Sequence, residues 1–368
     1  MLFEHRAEHD ELRQALRAFL ADVASESETR RLMETPEGYD PQVWSRLAAE
    51  LGLAGLGVPE ELGGAGGSAV EVGIVMEELG RSLACTPFFA TAVLATSALL
   101  LSGDEEHLPR IAAGACLATV AVAEASGSWD VDEISTRAAE DGGSWWLDGE
   151  KLFVLDGLIA DLIVVAARTG PTETSLFLVE GNAVGLTRSA MTTLDPTRKQ
   201  ARLTFEHTPA QLLGNRAAAP KVLPAVLDRA LVALAAEQVG GAQRCLEMAV
   251  EYAGTREQFG RAIASFQAIK HRCADMLVGI EGARSAAYYG LWAAAESPTE
   301  LPVAAGVAAI RCSDAYVFAS NENVQVHGGM GFTWEHPAHL YVRRARSSQL
   351  LFGDPARQRE RLATALEV

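Results

Sequence analysis

The sequence predicts an α+β chain, mainly α, in three parts: N-terminal helices, a small β-domain and a helical bundle. Three observations predict it. Apolar residues recur at helical spacing through much of residues 8–113. Between residues 117 and 206 the texture changes to short runs of Val, Leu, Trp, Phe and Thr separated by turn residues. From about Lys221 helical periodicity returns in much longer segments. The expected domains are 1–115, 116–220 and 221–368, and no internal repeat is visible.

In the first part, Leu12, Leu16, Phe19, Leu20 and Val23 place a helix over 8–26, with charges on its other face. A second helix fits 41–52, turning Val43, Trp44, Leu47 and Leu51 inward. Gly52 and the cluster Gly63-Gly64-Ala65-Gly66-Gly67 then mark a loop. Helices follow over 69–83 and over the nearly all-apolar 91–102, with a short turn at 108–113. Strands are expected at 117–123, 144–155, 161–168, 174–179 and 200–206, with turns at Asp141-Gly142-Gly143 and Asp148-Gly149. Long helices are expected over 223–254, 266–295, 303–327 and 337–351. Asp354-Pro355 reads as an N-cap with proline opening a last helix.

At 368 residues the chain is long enough to bury a large core. Its formal charge of −17 argues against nucleic acid as partner, which needs a basic face. The cysteines Cys85, Cys116, Cys245, Cys273 and Cys312 are scattered, with no C-x-x-C spacing. They read as small buried hydrophobes in a reducing cytoplasm rather than a disulfide frame or zinc site. The first residues, Met1-Leu2-Phe3-Glu4-His5-Arg6, lack the basic-then-apolar order of a signal peptide. No uninterrupted apolar run reaches the roughly 20 residues of a membrane span. His336 and His339 are separated by a proline, and His327 has no second ligand at metal spacing, so no metal site is expected.

Two blocks carry the chemistry. The first is Tyr252-Ala253-x-x-Arg256-x-Gln258-Phe259-Gly260-x-x-Ile263-x-x-Phe266-Gln267. The second is Gln325-Val326-His327-Gly328-Gly329-Met330-Gly331-Phe332. Together they resemble the signature of the acyl-CoA dehydrogenases. Further likenesses are Val58-Pro59-Glu60-Glu61-Leu62-Gly63-Gly64, Glu77-Glu78-Leu79-Gly80 and Leu108-Pro109-Arg110-Ile111-Ala112-Ala113-Gly114. The resemblance covers nearly the whole chain. It implies an N-terminal helical domain, a middle β-barrel and a C-terminal four-helix bundle.

The resemblance also implies FAD. In such enzymes a carboxylate takes the α-proton of an acyl-CoA thioester while the β-hydrogen leaves as hydride to the flavin. Each FAD lies at a subunit interface, and one chain reaches the nucleotide half of its neighbour's cofactor. For that trans role the resemblance implies Arg256, Gln258, Phe259, Gln267, Gln325, Gly328 and Gly329 here. Glycine backbone and a planar guanidinium suit a pyrophosphate.

The residues matching a chain's own flavin loops depart from the family pattern. The usual Thr-Glu-Pro-Gly-Ala-Gly-Ser loop is Ala123-Glu124-Ala125-Ser126-Gly127-Ser128-Trp129. The Trp-Ile-Thr that follows Gly-x-Lys is Phe153-Val154-Leu155. The two usual positions of the base hold Phe352 and Ala230. Two acids stand near them. Asp354 is either a displaced base or the cap of the last helix. Glu237, seven residues after Ala230, either reaches a substrate channel or is a buried acid paired with an arginine.

What a neighbour's cofactor needs is retained, and what a cofactor of its own needs is eroded. The chain is therefore expected to be a non-catalytic partner subunit, resembling the β-type subunits of actinobacterial α2β2 dehydrogenases of steroid side chains. An α-type subunit, an acyl-CoA thioester and an acceptor like electron-transfer flavoprotein are the implied partners. Two other readings stay open: a self-sufficient homotetramer using Glu237 or Asp354, and a flavin-free structural relative.

Overall fold

The computed structural model describes residues 7–367. The N-terminal helices are α1 (Ala7–Val23), α2 (Glu26–Met33), α3 (Pro41–Ala49), α4 (Ala69–Ser82), α5 (Thr96–Ser102) and α6 (Leu108–Ala112). The strands are β1 (Ala118–Ala121), β2 (Arg137–Asp141), β3 (Ser144–Leu155), β4 (Leu162–Arg168), β5 (Thr174–Glu180), β6 (Leu186–Ala190) and β7 (Gln200–Leu213). Helix α7 (Ala219–Thr255) precedes a two-stranded hairpin of β8 (Glu257–Gln258) and β9 (Arg261–Ala262). Then follow α8 (Gln267–Glu296), α9 (Leu301–His327), α10 (Gly329–Phe332), α11 (Ala338–Leu350) and α12 (Pro355–Ala365).

Contacts divide the chain into two compact units. One holds the described residues up to Thr29, Ala69–Ala84 and those from Leu231 onward. The other holds Arg30–Ser68 and Cys85–Ala230.

In the second unit a seven-stranded sheet forms the barrel. The ladder runs β4–β2–β3–β7–β5, and β5 pairs back onto β4, which closes the circuit. Closure gives each strand of this circuit two neighbours, while β1 pairs with β4 alone and β6 with β7 alone. Ile163, Val165, Phe177, Val179, Leu203 and Phe205 fill its interior. Strand β3 carries register shifts between Leu147 and Gly149 and between Lys151 and Val154, which bend it. The helix expected over 91–102 begins earlier, as a π-helical stretch over Phe89–Ala95. There Thr91 Oγ1 bonds the backbone of Ala118, and Thr96 Oγ1 bonds the Thr91 carbonyl.

Strands β2 and β6 were not foreseen because most of their side chains are exposed and show no apolar alternation. The helix expected over 8–26 ends at Val23, and a separate α2 begins at Glu26, where Ser25 Oγ accepts the Glu28 N–H.

In the first unit, α9 packs against α8, α11 and α12. Its core is built from small residues, among them Ala235, Ala283, Ala287, Ala308 and Cys312. Small side chains let the helices approach closely. Helices α4 and α7 approach each other through glycines. A Cβ on Gly240 would stand 1.8 Å from the Glu77 carbonyl oxygen, and one on Gly80 would stand 2.1 Å from that of Glu237. Only glycine fits such backbone-to-backbone contact.

Glu77 and Glu78 on α4 are buried. Arg13 bridges both, Arg17 forks onto Glu78, and Arg284 and the Tyr288 hydroxyl bond Glu77. Burial raises the Glu77 pKa, but Arg13 and Arg284 more than reverse this and hold it below the usual carboxylate range. Helix α9 is long and apolar enough by composition to cross a bilayer, yet half of its most apolar window is buried in the protein. All five cysteines are free thiols, four of them buried.

Candidate functional site

The two sequence blocks meet in the first unit. Block one spans the end of α7, the β8–β9 hairpin and the start of α8; block two spans the end of α9 and α10. The Tyr252 ring stacks on His327 at 4.3 Å, joining the ends of α7 and α9. His327 Nδ1 lies 2.8 Å from the Asn323 carbonyl, and His336 packs against its ring at 4.2 Å. Burial lowers the His327 pKa, with the Asn323 carbonyl opposing. Both histidines are thus held in an aromatic cluster. Among the described residues, no group of three His, Cys, Asp or Glu is placed to hold a metal.

Arg256 follows α7 directly. Its N–H donates to the Tyr252 carbonyl, and its own carbonyl accepts from Ile263, which closes the hairpin's base. Its guanidinium is exposed and pairs with no acid among the described residues. Gln258 pairs with Arg261 across the hairpin. Phe259 and Gly260 form the turn at φ +54° and +76°. Phe259 is 92% exposed, and its ring meets Phe266 edge-on, over which Arg261 also lies. Gln267 opens α8 and Gln325 lies in the last turn of α9, both exposed. Gly328 turns the chain at φ +61°, and a Cβ on Gly328 or Gly329 would meet nothing within 4 Å.

The two acids have structural partners. Glu237 is 3% exposed, and its Oε1 accepts from Arg344 at 2.7 Å. Arg344 is the partner that the sequence did not reveal. Asp354 Oδ1 accepts the Arg357 N–H at 2.8 Å and caps α12. Phe352 is buried at φ +67°, and Ala230 is buried on α7.

The loop 123–129 and strand β3 lie in the second unit. Lys151 is fully buried and donates to Glu124 at 2.8 Å and to the Val122 carbonyl at 2.9 Å. The Glu124 carboxylate also accepts from the backbone and hydroxyl groups of Ser135 and Thr136. Burial pushes Glu124 up, but Lys151 and these donors outweigh it and hold the carboxyl at about 2. Burial takes the Lys151 ammonium down to about 8 against the pull of Glu124. Ser128 Oγ accepts the Asp130 N–H. Phe153 sits at φ +57°, its N–H directed at Met191 Sδ, and its ring edge comes within 3.7 Å of a Cβ placed on Gly127. Leu155 is buried and carries no polar side-chain atom.

These two regions answer differently to an FAD. The hairpin and the Gly328-Gly329 turn offer an unpaired guanidinium, exposed amides and glycine backbone open to close approach, and these fit a nucleotide diphosphate. The 123–129 loop does not fit an isoalloxazine in the same way. Its Glu124 is fully bonded within the protein, and a phenylalanine ring stands over its glycine.

The profile of the acyl-CoA dehydrogenase N-terminal domain matches residues 6–115, that of the middle domain 119–208, and that of the C-terminal domain 221–367. The chain belongs to the acyl-CoA dehydrogenase family. Members are FAD-dependent oxidoreductases of CH–CH bonds. A family relative, the acyl-CoA dehydrogenase IpdE2 of Mycobacterium tuberculosis, is 36% identical over 357 residues, covering 96% of each chain. A variant of the Tcur3481–Tcur3483 steroid acyl-CoA dehydrogenase superposes with a TM-score of 0.88 at 32% identity over 98% of each chain. The ChsE4–ChsE5 complex of Mycobacterium tuberculosis gives 0.89 at 27% identity over 100% of this chain and 99% of that one.

Proposed function

We propose that this chain is the non-catalytic partner subunit of a heteromeric, flavin-dependent acyl-CoA dehydrogenase. One observation carries the reading: both acids near the usual base positions are already committed, Glu237 to Arg344 and Asp354 to the cap of α12. Neither is left to take an α-proton. The self-filled 123–129 loop supports the same reading. So does the exposed apolar surface of the first unit, with Phe259, Leu277, Val278, Met330 and Phe332 open to a further chain. Two of the similar structures, Tcur3481–Tcur3483 and the ChsE4–ChsE5 complex, pair two different chains, which agrees with a two-chain assembly.

When bound, FAD accepts the hydride from the β-carbon of the thioester. In this reading Arg256 pairs with the cofactor diphosphate as a fixed cation. Gly328 and Gly329 let backbone approach it, while Gln258, Gln267 and Gln325 offer amide donors around the nucleotide and Phe259 an apolar face. The base and the flavin-ring loops come from an α-type subunit. The substrate is an acyl-CoA thioester with a bulky, steroid-derived acyl group, and electrons leave to an acceptor like electron-transfer flavoprotein. The compartment is the cytoplasm.

The test is to purify the chain alone and with each co-encoded dehydrogenase subunit, then measure bound flavin and turnover with an artificial acceptor. Colour and turnover only in the mixed assembly are expected. Turnover by the lone chain, abolished by Glu237→Gln or Asp354→Asn, would establish the self-sufficient homotetramer instead. A chain that stays colourless in every mixture would be a flavin-free relative.

A further inference from the structure

A small cavity of about 20 Å³ lies in the first unit between α7, α9, α11 and α12. Leu231, Leu234 and Ile310 are on its apolar side, and Gln238, Gln349, Ser313, Ser348 and Gln358 on its polar side. Ser313, Ser348 and Gln358 are only 6%, 2% and 5% exposed. Ser313 Oγ, Ser348 Oγ and Gln358 Oε1 have no hydrogen-bond partner among the described residues. A buried oxygen in that condition has lost its hydration and gained nothing in return. Helical serines often bond the carbonyl one turn back, and neither of these does.

We propose that this cavity is a binding site for one water molecule held by Ser313, Ser348 and Gln358. The volume suits a single water, which needs roughly 10–15 Å³ of this kind of space. Three oxygens from three helices supply the two to four polar partners that a buried water takes. Among the described residues no carboxylate, histidine or basic group lines the cavity, so none of them there selects an ion.

The site has a structural consequence. Gln358 Nε2 already donates to the Phe352 carbonyl at 2.9 Å. With Oε1 on the water, the Gln358 amide is fixed at both ends. It then holds the α11–α12 turn, where Phe352 and Gly353 sit at φ +67° and +108°. The water thereby cross-links α9, α11 and α12 and positions Phe352.

The test is a crystal structure of the full chain, alone or with its co-purifying subunit, at a resolution that places waters. One density peak within hydrogen-bond distance of at least two of the three oxygens is expected. A dry cavity, or serine hydroxyls rotated onto the carbonyls of the preceding turn, would overturn the proposal. In a Ser313→Ala, Ser348→Ala variant solved the same way, the peak should vanish. A peak that stays unchanged would assign the water to other groups and reject these holders. If the variant does not fold, the wild-type structure still decides.

Discussion

Glu237 and Arg344 lie 107 positions apart and meet in a 2.7 Å ion pair whose two side chains are 3% and 4% exposed. A pair so deeply buried is held by mutual need. Removing one partner leaves a desolvated charge, at about 3–5 kcal/mol, whereas replacing both with apolar groups of similar volume is often neutral or stabilising. Glu237→Leu or Arg344→Met alone should therefore lower the urea midpoint strongly, and the double replacement should recover most of the loss. Turnover of the mixed assembly, per folded protein, should not change. Loss of turnover in Glu237→Gln with unchanged stability would make Glu237 the base.

Asp354 offers the parallel case at a helix end. Asp354→Ala removes one side-chain cap and should cost about 1 kcal/mol. Turnover of the assembly should not change. Thermal melts and steady-state rates on the same samples separate the two effects.

The Glu124–Lys151 pair sets an acid dependence. The carboxyl lies at about 2 in the folded chain against an ordinary value of 4.5. The folded state therefore holds the carboxylate while the unfolded chain is already taking up a proton. Its stabilising contribution is complete above pH 4.5, declines as pH falls, and is gone below about 2. The stability gap between wild type and Glu124→Gln should shrink across that window in urea titrations. A gap independent of pH would contradict the assignment.

Gly240→Ala drives a methyl group into the Glu77 carbonyl and must push α4 from α7. Overpacking of this kind costs typically about 1–3 kcal/mol. Gly254→Ala is the control: it lies in the same helix, its Cβ meets nothing within 4 Å, and it should be stabilising by about 0.5–1 kcal/mol. Circular-dichroism melts of the two variants should move in opposite directions.

Arg256→Ala removes an exposed, unpaired guanidinium and should leave the fold unchanged. A hydrogen bond to a charged group is worth about 1.5–3 kcal/mol, or roughly a ten- to hundredfold loss in FAD affinity of the mixed assembly. Flavin retained through gel filtration reads this out. Full retention would remove Arg256 from the cofactor site.

Much of the fold was legible along the chain. The long helices carry their helical periodicity in local sequence, so α7, α8, α9 and α11 lie within a few residues of their expected bounds. The Asp354-Pro355 start of α12 was equally plain. Strands β2 and β6 were not, because their mostly exposed side chains show no apolar alternation, although each pairs with the strand that follows it in sequence.

The site divides in the same manner. Arg256 and Gln258 could be proposed from one sequence block and Gly328 from another, because residue type and fixed spacing are properties of local sequence. The role of Glu237 was open, since two readings of a buried acid differ only in what faces it. Arg344, on another helix, supplied that partner, and only packing brings α11 to α7. Phe153 over Gly127 and the three oxygens around the small cavity have the same origin. Local patterns follow from the period of the backbone, whereas charge pairing, filled loops and hydrated cavities depend on which distant side chains the fold presses together.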